Sequence, residues 1–319
     1  MRQRAASMAA NTRHMLHFIL TRIARTVLTV LGVFTAAFLL VRAHGDPAVL
    51  LLSEGATPQQ LAELRSELGL DQPMWVQYGR FLGNALRGDF GDSLRQHTSA
   101  LGLVLDRLPA TLELAMASFV LGLALAFAGG LWMQLTPHRR LRSILLWLAF
   151  VRQAIPAFWF GLLLILVFSV QLRWLPSLGR GTVLHLVLPA LTLATYELAL
   201  YLRLLDSAFR EEQGRDYIRT AYAKGLGHPA VTLRHALPNV LLPLVTIAGI
   251  NLGVLLGGTV VTEIVFSWPG IGRLIVQSVQ QRDYPVVVAG VVVASLVFVT
   301  VNLAVDLLYT RLDPRVGSA

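Results

Sequence analysis

The sequence has 319 residues, of which 55% are hydrophobic and only 14% are charged, and its formal net charge is +9. Soluble globular proteins carry about 25% charged residues, so this composition excludes an ordinary water-exposed surface and favours lipid as the solvent. The basic residues flank long apolar segments, which indicates membrane topology rather than nucleic-acid binding. The absence of cysteine excludes disulfides, thiolate metal sites and cysteine nucleophiles.

Six apolar segments are long enough to cross a bilayer, since a transmembrane helix needs about 20 mostly apolar residues. They are residues 18–41, 110–133, 143–170, 183–205, 240–261 and 286–308. The fourth is the weakest, because Glu197 and Arg203 interrupt it. A cleaved signal peptide is the alternative for the first segment, but its apolar stretch is longer than a typical signal core. We therefore expect an all-α integral membrane protein with six transmembrane helices.

The arginines predict the orientation of these helices. They cluster in the N-terminal segment, between the second and third spans, between the fourth and fifth spans, and in the tail. With six spans, all four clusters lie on one side of the membrane, and an excess of basic residues marks the cytoplasmic side. Both termini are then cytoplasmic, and the polar region between the first two spans is extracytoplasmic.

The extracytoplasmic region has local structure of its own. Thr57 and Gln60 are spaced as a capping box, Leu61 begins an apolar stripe continued by Leu64 and Leu68, and Gly69 is placed to end the helix. Two roles are open for this region: a small lid packed on the ends of the spans, or a docking surface for an external partner.

Small residues recur every four positions in the second and fifth spans. Lipid provides no hydrophobic drive for helix association, so such residues favour close helix packing. The two sets are Gly122, Ala126 and Gly130, and Gly249, Gly253 and Gly257. Tight packing within one bundle and a sliding face between subunits or along a pathway both explain them.

Polar residues inside the spans are candidates for the pathway, because such groups are costly in lipid. They are Arg152, Gln153, Glu197, Asn251 and Glu263, and Pro156 is expected to bend the third span. An ion pair between Arg152 and Glu197 is the structural alternative to a pathway lining. The histidines lack metal-ligand spacing and no serine lies on a nucleophile turn, so we expect neither a metal site nor a catalytic residue.

The loop of residues 210–238 contains a predicted short helix. Asp216 is placed to cap it, Lys224 lies where a cation suits the helix dipole, and Gly225 is suited to a left-handed end. Tyr217, Ile218 and Ala221 fall on one face. That face is expected either to enter a groove on another protein or to pack on its own bundle. A second helix is expected to begin near residue 229 and to break near residue 238.

The single lysine of the chain bears on the energy source. A phosphate-binding P-loop needs lysine followed by serine or threonine, whereas Lys224 is followed by Gly225. If ATP drives this transporter, another polypeptide must bind it.

The same loop resembles the EAA loop of ATP-binding-cassette importer permeases. The resemblance rests on Ala221, Gly225 and the pair Leu237-Pro238, and residues 216–226 are similar to the peptide-importer branch. The chain departs from the EAA pattern in two places: Arg219-Thr220-Ala221 replaces the opening Glu-Ala-Ala, and His235 replaces an apolar residue.

Further motifs along the chain resemble the first of the two permease subunits of dipeptide and oligopeptide importers. They include Gly45-Asp46-Pro47, Gly88-Asp89-Phe90-Gly91-Asp92-Ser93, Leu108-Pro109-Ala110-Thr111-Leu112-Glu113-Leu114, Phe266-Ser267-Trp268-Pro269-Gly270-Ile271-Gly272 and Arg282-Asp283-Tyr284-Pro285. The family usually has proline where this chain has His44, and Gly-x-Ser where it has Arg152-Gln153-Ala154. The second departure leads to the hypothesis that a cation facing the pathway affects substrate choice.

The resemblance implies a type I importer permease fold in a bacterial inner membrane. It divides the chain into residues 1–42 (cytoplasmic N-terminus and first helix), 43–108 (extracytoplasmic), 109–309 (permease domain) and 310–319 (cytoplasmic tail). The expected partners are a second homologous permease subunit, two ATPase subunits that bind ATP and magnesium, an extracytoplasmic substrate-binding protein and membrane lipid. The residues expected to contact an ATPase are Asp216, Tyr217, Arg219, Thr220, Ala221, Lys224, Gly225, Leu237 and Pro238.

The expected cargo is a dipeptide or oligopeptide, with glutathione or a nickel complex as alternatives within the same architecture. An ion-coupled secondary transporter is the alternative from another class. Paired intramembrane carboxylates or inverted repeats would favour it, and the sequence shows neither.

Overall fold

The computed structural model describes residues 24–39, 42, 57–67, 69–136 and 138–312. Within these residues the regular structure is helical, apart from one isolated antiparallel bridge between Asp92 and Ser99. The chain divides into two compact units, Met1–Leu108 with Leu274–Ala319, and Pro109–Arg273. Both chain termini lie outside the described residues.

Twelve helices are described. They are α1 (Ala24–Leu39), α2 (Pro58–Glu67), α3 (Met74–Leu86), α4 (Ala100–Leu135), α5 (Arg139–Ala154), α6 (Ala157–Leu164), α7 (Val183–Gln213), α8 (Asp216–Ala223), α9 (His228–Val231), α10 (Leu237–Val265), α11 (Ile271–Gln280) and α12 (Tyr284–Leu312). Two π-helical segments extend this set, Ile165–Gln171 after α6 and Thr232–Ala236 between α9 and α10.

Four helical stretches of the described chain are long and apolar enough to span a membrane: Ala100–Leu135, Val183–Gln213, His228–Leu255 and Tyr284–Val305. They contain the second and fourth predicted spans, and they overlap most of the fifth (240–261) and the sixth (286–308). The third prediction corresponds to a bent pair of helices, which raises the number of spans to at most five. The first prediction is represented by α1, a shorter apolar helix, and residues 18–23 and 40–41 of that prediction lie outside the described residues.

The third predicted span is broken rather than gently bent. α5 ends at Ala154, Ile155 is extended with φ −85° and ψ 126°, and Pro156 precedes the first residue of α6. The two helical stretches meet at 108°. Proline disfavours helical geometry in the residue before it and lacks an N–H, so the chain turns sharply here.

The capping box predicted at the start of α2 is present. Thr57 N donates to Gln60 Oε1 at 2.9 Å, and Gln60 N donates to Thr57 Oγ1 at 3.3 Å. Gly69 has φ +65°, the left-handed conformation expected after a helix end. Leu61 is half-buried, whereas the side chains of Leu64 and Leu68 lie outside the described set.

The first unit packs α1, α3 and α12 together through an apolar cluster. Its buried members are Phe34, Ala37, Ala85, Val288 and Val292. Two sequence motifs also meet in this unit, because Ser93 Oγ donates to Asp283 Oδ2 at 2.5 Å and Leu94 N donates to Oδ1 at 3.1 Å. The polar segment before α4 is thereby joined to the start of α12.

The second unit is built around α7, which packs against α4 through the predicted small residues. A Cβ on Gly122 would lie 3.2 Å from Ala194 O, and one on Gly130 would lie 2.6 Å from Leu205 Cδ1. Ala126 between them is fully buried. In the second predicted span, therefore, the small residues serve tight packing within the bundle.

The glycines of the fifth predicted span do not form one packed face. Gly253 is buried and Gly249 is half-buried, but Gly257 is exposed, and a Cβ there would meet no atom within 4 Å. Packing within the unit therefore does not explain Gly257, and a sliding face at this position stays a prediction.

Candidate functional site

The predicted loop helix is α8, and its ends differ in part from the prediction. The N-cap is Arg215, with no side-chain capping hydrogen bond, so the prediction that Asp216 caps the helix is wrong. Asp216 is the first helical residue, where its charge favours the helix dipole, and its Oδ1 lies 3.4 Å from Arg219 Nη1. Gly225 has φ +84° and ends the helix as expected, with Lys224 just before it.

One face of α8 is buried against its own unit. Ile218 and Ala221 are 1% and 4% exposed and belong to a cluster that includes Tyr201 and Phe209 of α7 and Val240 of α10. For these two residues, packing on the bundle is the alternative that holds, and the expectation that they enter a groove on another protein is wrong. Helix α8 is thus a fixed part of the bundle surface.

The opposite face of α8 is polar and open. It presents Asp216, Tyr217, Arg219, Thr220, Tyr222 and Lys224, all exposed. Tyr217 was predicted on the apolar face but is 39% exposed. A partner that docks on α8 therefore meets charged and hydroxyl groups rather than an apolar stripe.

Two tyrosine hydroxyls tie α8 to its neighbours. The Tyr217 hydroxyl donates to the Glu212 carboxylate of α7 and accepts from Asn239 Nδ2 of α10 at 2.8 Å. Partial burial, with a further contribution from Glu212, raises the pKa of Tyr217, so the phenol remains a donor. These two bonds join α8 to the end of α7 and to the start of α10.

The second tie runs through His228. Its Nε2 lies 2.9 Å from the Gln134 carbonyl near the end of α4, and its Nδ1 lies 2.8 Å from the Tyr222 hydroxyl. A carbonyl oxygen only accepts, so Nε2 carries the proton, and in the neutral ring Nδ1 accepts from Tyr222. The two rings are parallel, with an interplanar angle of 3°. Neither tie was predicted from the sequence, which placed Tyr217 on the apolar face and gave no signal for Tyr222.

Leu237 and Pro238 lie where α10 begins, without the predicted break. The second loop helix begins at His228, with Pro229 in its first turn, and the π-helical turn Thr232–Ala236 leads directly into α10. Proline fits the first turn of a helix because its missing N–H has no partner there anyway. The loop is therefore joined rigidly to the fifth span.

Arg152 does not pair with Glu197 in the described structure. Its guanidinium is buried, and it donates to Thr192 O at 2.7 Å, to Thr195 Oγ1 at 2.9 Å and to Ile155 O at 3.1 Å. It also lies 4.0 Å from the centroid of the Phe160 ring. The residue thus bridges the break between α5 and α6 and fastens it to α7.

The remaining polar candidates are tied between helices. Gln153 Oε1 accepts from Arg203 Nη2 of α7 at 2.8 Å. Glu197 and Asn251 are electrostatic neighbours of the fully buried Tyr201, whose hydroxyl makes no hydrogen bond of good geometry within the described residues. The structure therefore brings Glu197 and Asn251 together, and it gives Arg152 and Gln153 separate partners on α7.

Glu263 is fully buried and organises the loop after α10. Its Oε1 accepts from Thr111 Oγ1 at 2.8 Å, and its Oε2 accepts from Arg273 N at 3.0 Å. A Cβ on Gly270 would overlap the carboxylate, and one on Gly272 would lie 2.9 Å from Oε2, so both glycines make room for it. Glu263 is hence a structural carboxylate that joins two of the sequence motifs.

Two family models match consecutive parts of the chain. Residues 15–115 match the N-terminal model of the binding-protein-dependent transport system membrane component. Residues 118–318 match the model of the binding-protein-dependent transport system inner membrane component.

Curated relatives match over nearly the whole length. A glutathione transport system permease protein, GsiC, of Salmonella paratyphi A is 40% identical over 307 residues, covering 95% of this chain and 99% of the relative. GsiC of Escherichia coli K12 is 39% identical over the same coverage.

Solved structures support the fold. The inward-facing MetNI methionine ABC transporter matches with a TM-score of 0.55 at 20% identity, covering 66% of this chain and 96% of that one. An amino acid ABC transporter matches with a TM-score of 0.53 at 14% identity, covering 66% and 94%. The chain therefore belongs to the binding-protein-dependent transport system inner membrane components, and it is a non-catalytic, multi-pass permease subunit of an ABC importer of the type I fold.

Proposed function

We propose that this chain forms one half of the translocation path of an importer for small peptides, with glutathione as the foremost cargo. The similarity to glutathione permeases over 95% of the chain supports this cargo. Glutathione is itself a tripeptide with charged ends, so it falls within the dipeptide and oligopeptide class expected from the motifs.

The proposed complex contains a second homologous permease subunit, two ATPase subunits and an extracytoplasmic binding protein, in a bacterial inner membrane. ATP and magnesium bind to the ATPases, since the single lysine of this chain is not part of a P-loop. Helix α8 and both chain termini face the cytoplasm, in agreement with the basic clusters.

The observation that carries the coupling role is the construction of α8. Its polar face is open, while its apolar face and two tyrosine hydroxyls attach it to α4, α7 and α10. Closure of the ATPase dimer on this face would move three membrane helices together. For such coupling, the ATP-bound partner must bind one global state of the permease more tightly than the other.

Uptake by the reconstituted complex tests the function. Radiolabelled glutathione and a labelled dipeptide are presented to proteoliposomes that contain the two permease subunits and the two ATPase subunits. The vesicles are tested with and without binding protein, and with ATP or a non-hydrolysable analogue inside. We expect accumulation of glutathione that requires both ATP hydrolysis and binding protein. Accumulation driven by an ion gradient without ATP would contradict the proposal, and uptake of the dipeptide alone would correct the cargo.

A further inference from the structure

An open cavity of about 500 Å³ lies in the second unit, at the N-terminal end of α7. The coupling helix α8 follows the other end of α7, which has 31 residues and is therefore about 46 Å long. With α8 on the cytoplasmic side, this cavity opens on the extracytoplasmic side. Its lining consists of Glu113, Arg180, Gly181, Thr182, Val183 and Pro269.

The cavity wall carries one positive and one negative group side by side. Arg180 Nη2 lies 2.5 Å from Glu113 Oε2, and Arg180 Nε donates to the same oxygen at 2.8 Å. Both side chains are about two-fifths exposed. Within the described residues, the contacts between these two side chains use Glu113 Oε2 with Arg180 Nε and Nη2, so Glu113 Oε1 and Arg180 Nη1 retain hydrogen-bonding capacity for a ligand.

The scaffold behind this pair is fixed. Gly179, with φ +87°, donates its N–H to Phe266 O at 2.8 Å and so ties the Arg180 loop to the loop after α10. Trp268 is fully buried under the cavity, donates Nε1–H to Ala110 O at 2.8 Å, and has its ring centroid 6.0 Å from the Arg180 guanidinium. The two charges are therefore held in place before any ligand arrives, which reduces the entropy lost on binding.

We infer that this cavity binds the charged ends of a zwitterionic peptide, the carboxylate at Arg180 and the ammonium at Glu113. A simple anion would be repelled by Glu113 and a simple cation by Arg180, whereas a ligand with both charges complements both groups. The volume lies in the range of small-molecule sites, about 300–1,000 Å³. This inference deepens the proposed function and rests on it for the identity of the cargo. It assigns a substrate-binding role to Glu113, which belongs to the motif of residues 108–114 and lies outside the coupling loop.

The absence of cysteine allows a direct test in the full chain, expressed in membranes with its partner subunits. Val183 lines the cavity and is 79% exposed, so V183C gives a single thiol whose rate of labelling by a maleimide reports occupancy. Leu178 lies in the loop before α7, is 52% exposed and is not part of the cavity lining, so L178C provides the control variant. The probes are triglycine and triglycine blocked as the N-acetyl amide.

We expect triglycine to slow the labelling of V183C but not of L178C, and the doubly blocked peptide to have no effect. Adding R180Q or E113Q to V183C should raise the half-protecting concentration about tenfold, the loss of about 1.4 kcal/mol of charge-assisted binding. Unchanged labelling with triglycine overturns the inference, as does equal protection by the blocked peptide or full protection in R180Q. The assay needs neither ATP nor uptake, so protection without transport would contradict only the proposed function.

Discussion

Replacing Gly225 with valine is the sharpest perturbation of the proposed coupling loop. Gly225 has φ +84°, and a Cβ there meets no atom within 4 Å, so the cost of valine comes from the backbone alone. The left-handed conformation costs an L-residue about 1–2 kcal/mol, and a β-branched side chain pays at least this amount. The turn is held by Gly225 N donating to Tyr222 O at 2.9 Å and Leu226 N donating to Ala221 O at 3.3 Å.

We expect G225V to reach the membrane in normal amount but to lose ATP-dependent uptake. If the backbone at residue 225 leaves the left-handed region, these two hydrogen bonds break and the Tyr222 hydroxyl moves away from His228. Because His228 joins Tyr222 to Gln134, α8 then loses its connection to α4. The measurement is uptake of the transported peptide per permease, with membrane abundance determined by immunoblot. Binding-protein-stimulated ATP hydrolysis in the same vesicles should become uncoupled from uptake.

Gly227 provides the matched control two residues further along the same loop. It also has open space at Cβ, but its φ is −71° and its ψ 156°, a conformation open to any residue. G227V should therefore transport at close to the wild-type rate. Normal uptake by G225V, or an equal loss in both variants, would refute the reasoning.

Three further predictions concern the bundle. Y222F removes the hydroxyl bound to His228, worth about 0.5–1.5 kcal/mol, and should lower uptake roughly twofold to twelvefold at unchanged abundance; full uptake would exclude this tie from coupling. G130V should overpack the contact of α4 with α7, at a cost of about 1–3 kcal/mol, and so lower the unfolding temperature in detergent. G257V adds a side chain facing open space and should leave the unfolding temperature unchanged. Equal unfolding temperatures for the two variants would contradict tight packing at Gly130. E263A should leave buried hydrogen-bond donors unsatisfied, at a cost in stability of about 1–3 kcal/mol each. E263Q keeps one acceptor oxygen and should lose less stability. An unfolding temperature of E263A equal to that of the wild type would contradict the role of this carboxylate.

The features that sequence predicted well are set by local chemistry. Hydrophobic length located the long spans, the Thr57–Gln60 spacing located a capping box, and Gly225 was placed at a left-handed helix end. Each of these depends on residues a few positions apart. The same local rules failed for Asp216, because a residue suited to a cap can equally occupy the first turn, where its charge is also favourable.

Features that depend on distant contacts were not predictable in the same way. The spacing of apolar residues along α8 does not reveal that α7 and α10 cover Ile218 and Ala221. Nor does it reveal that the Tyr217 hydroxyl bonds to Glu212 and Asn239. These outcomes depend on where the ends of other helices lie. An isolated short helix leaves the choice between its own bundle and a partner open, and only the folded unit decides it.

Arg152 shows how a cation can replace small residues inside a span without acting on the cargo. The break at Pro156 exposes carbonyl oxygens, and the guanidinium satisfies Ile155 O together with Thr192 O and a threonine hydroxyl of α7. Each of the three guanidinium nitrogens donates a hydrogen bond and the residue is only 8% exposed, so a ligand has little access to this cation. The contacts of Arg152 therefore explain this departure from the family pattern by how firmly the break between α5 and α6 is held. They do not favour the hypothesis that Arg152 affects substrate choice. A methionine at this position would leave those oxygens without donors inside the membrane, and its first effect should be on stability.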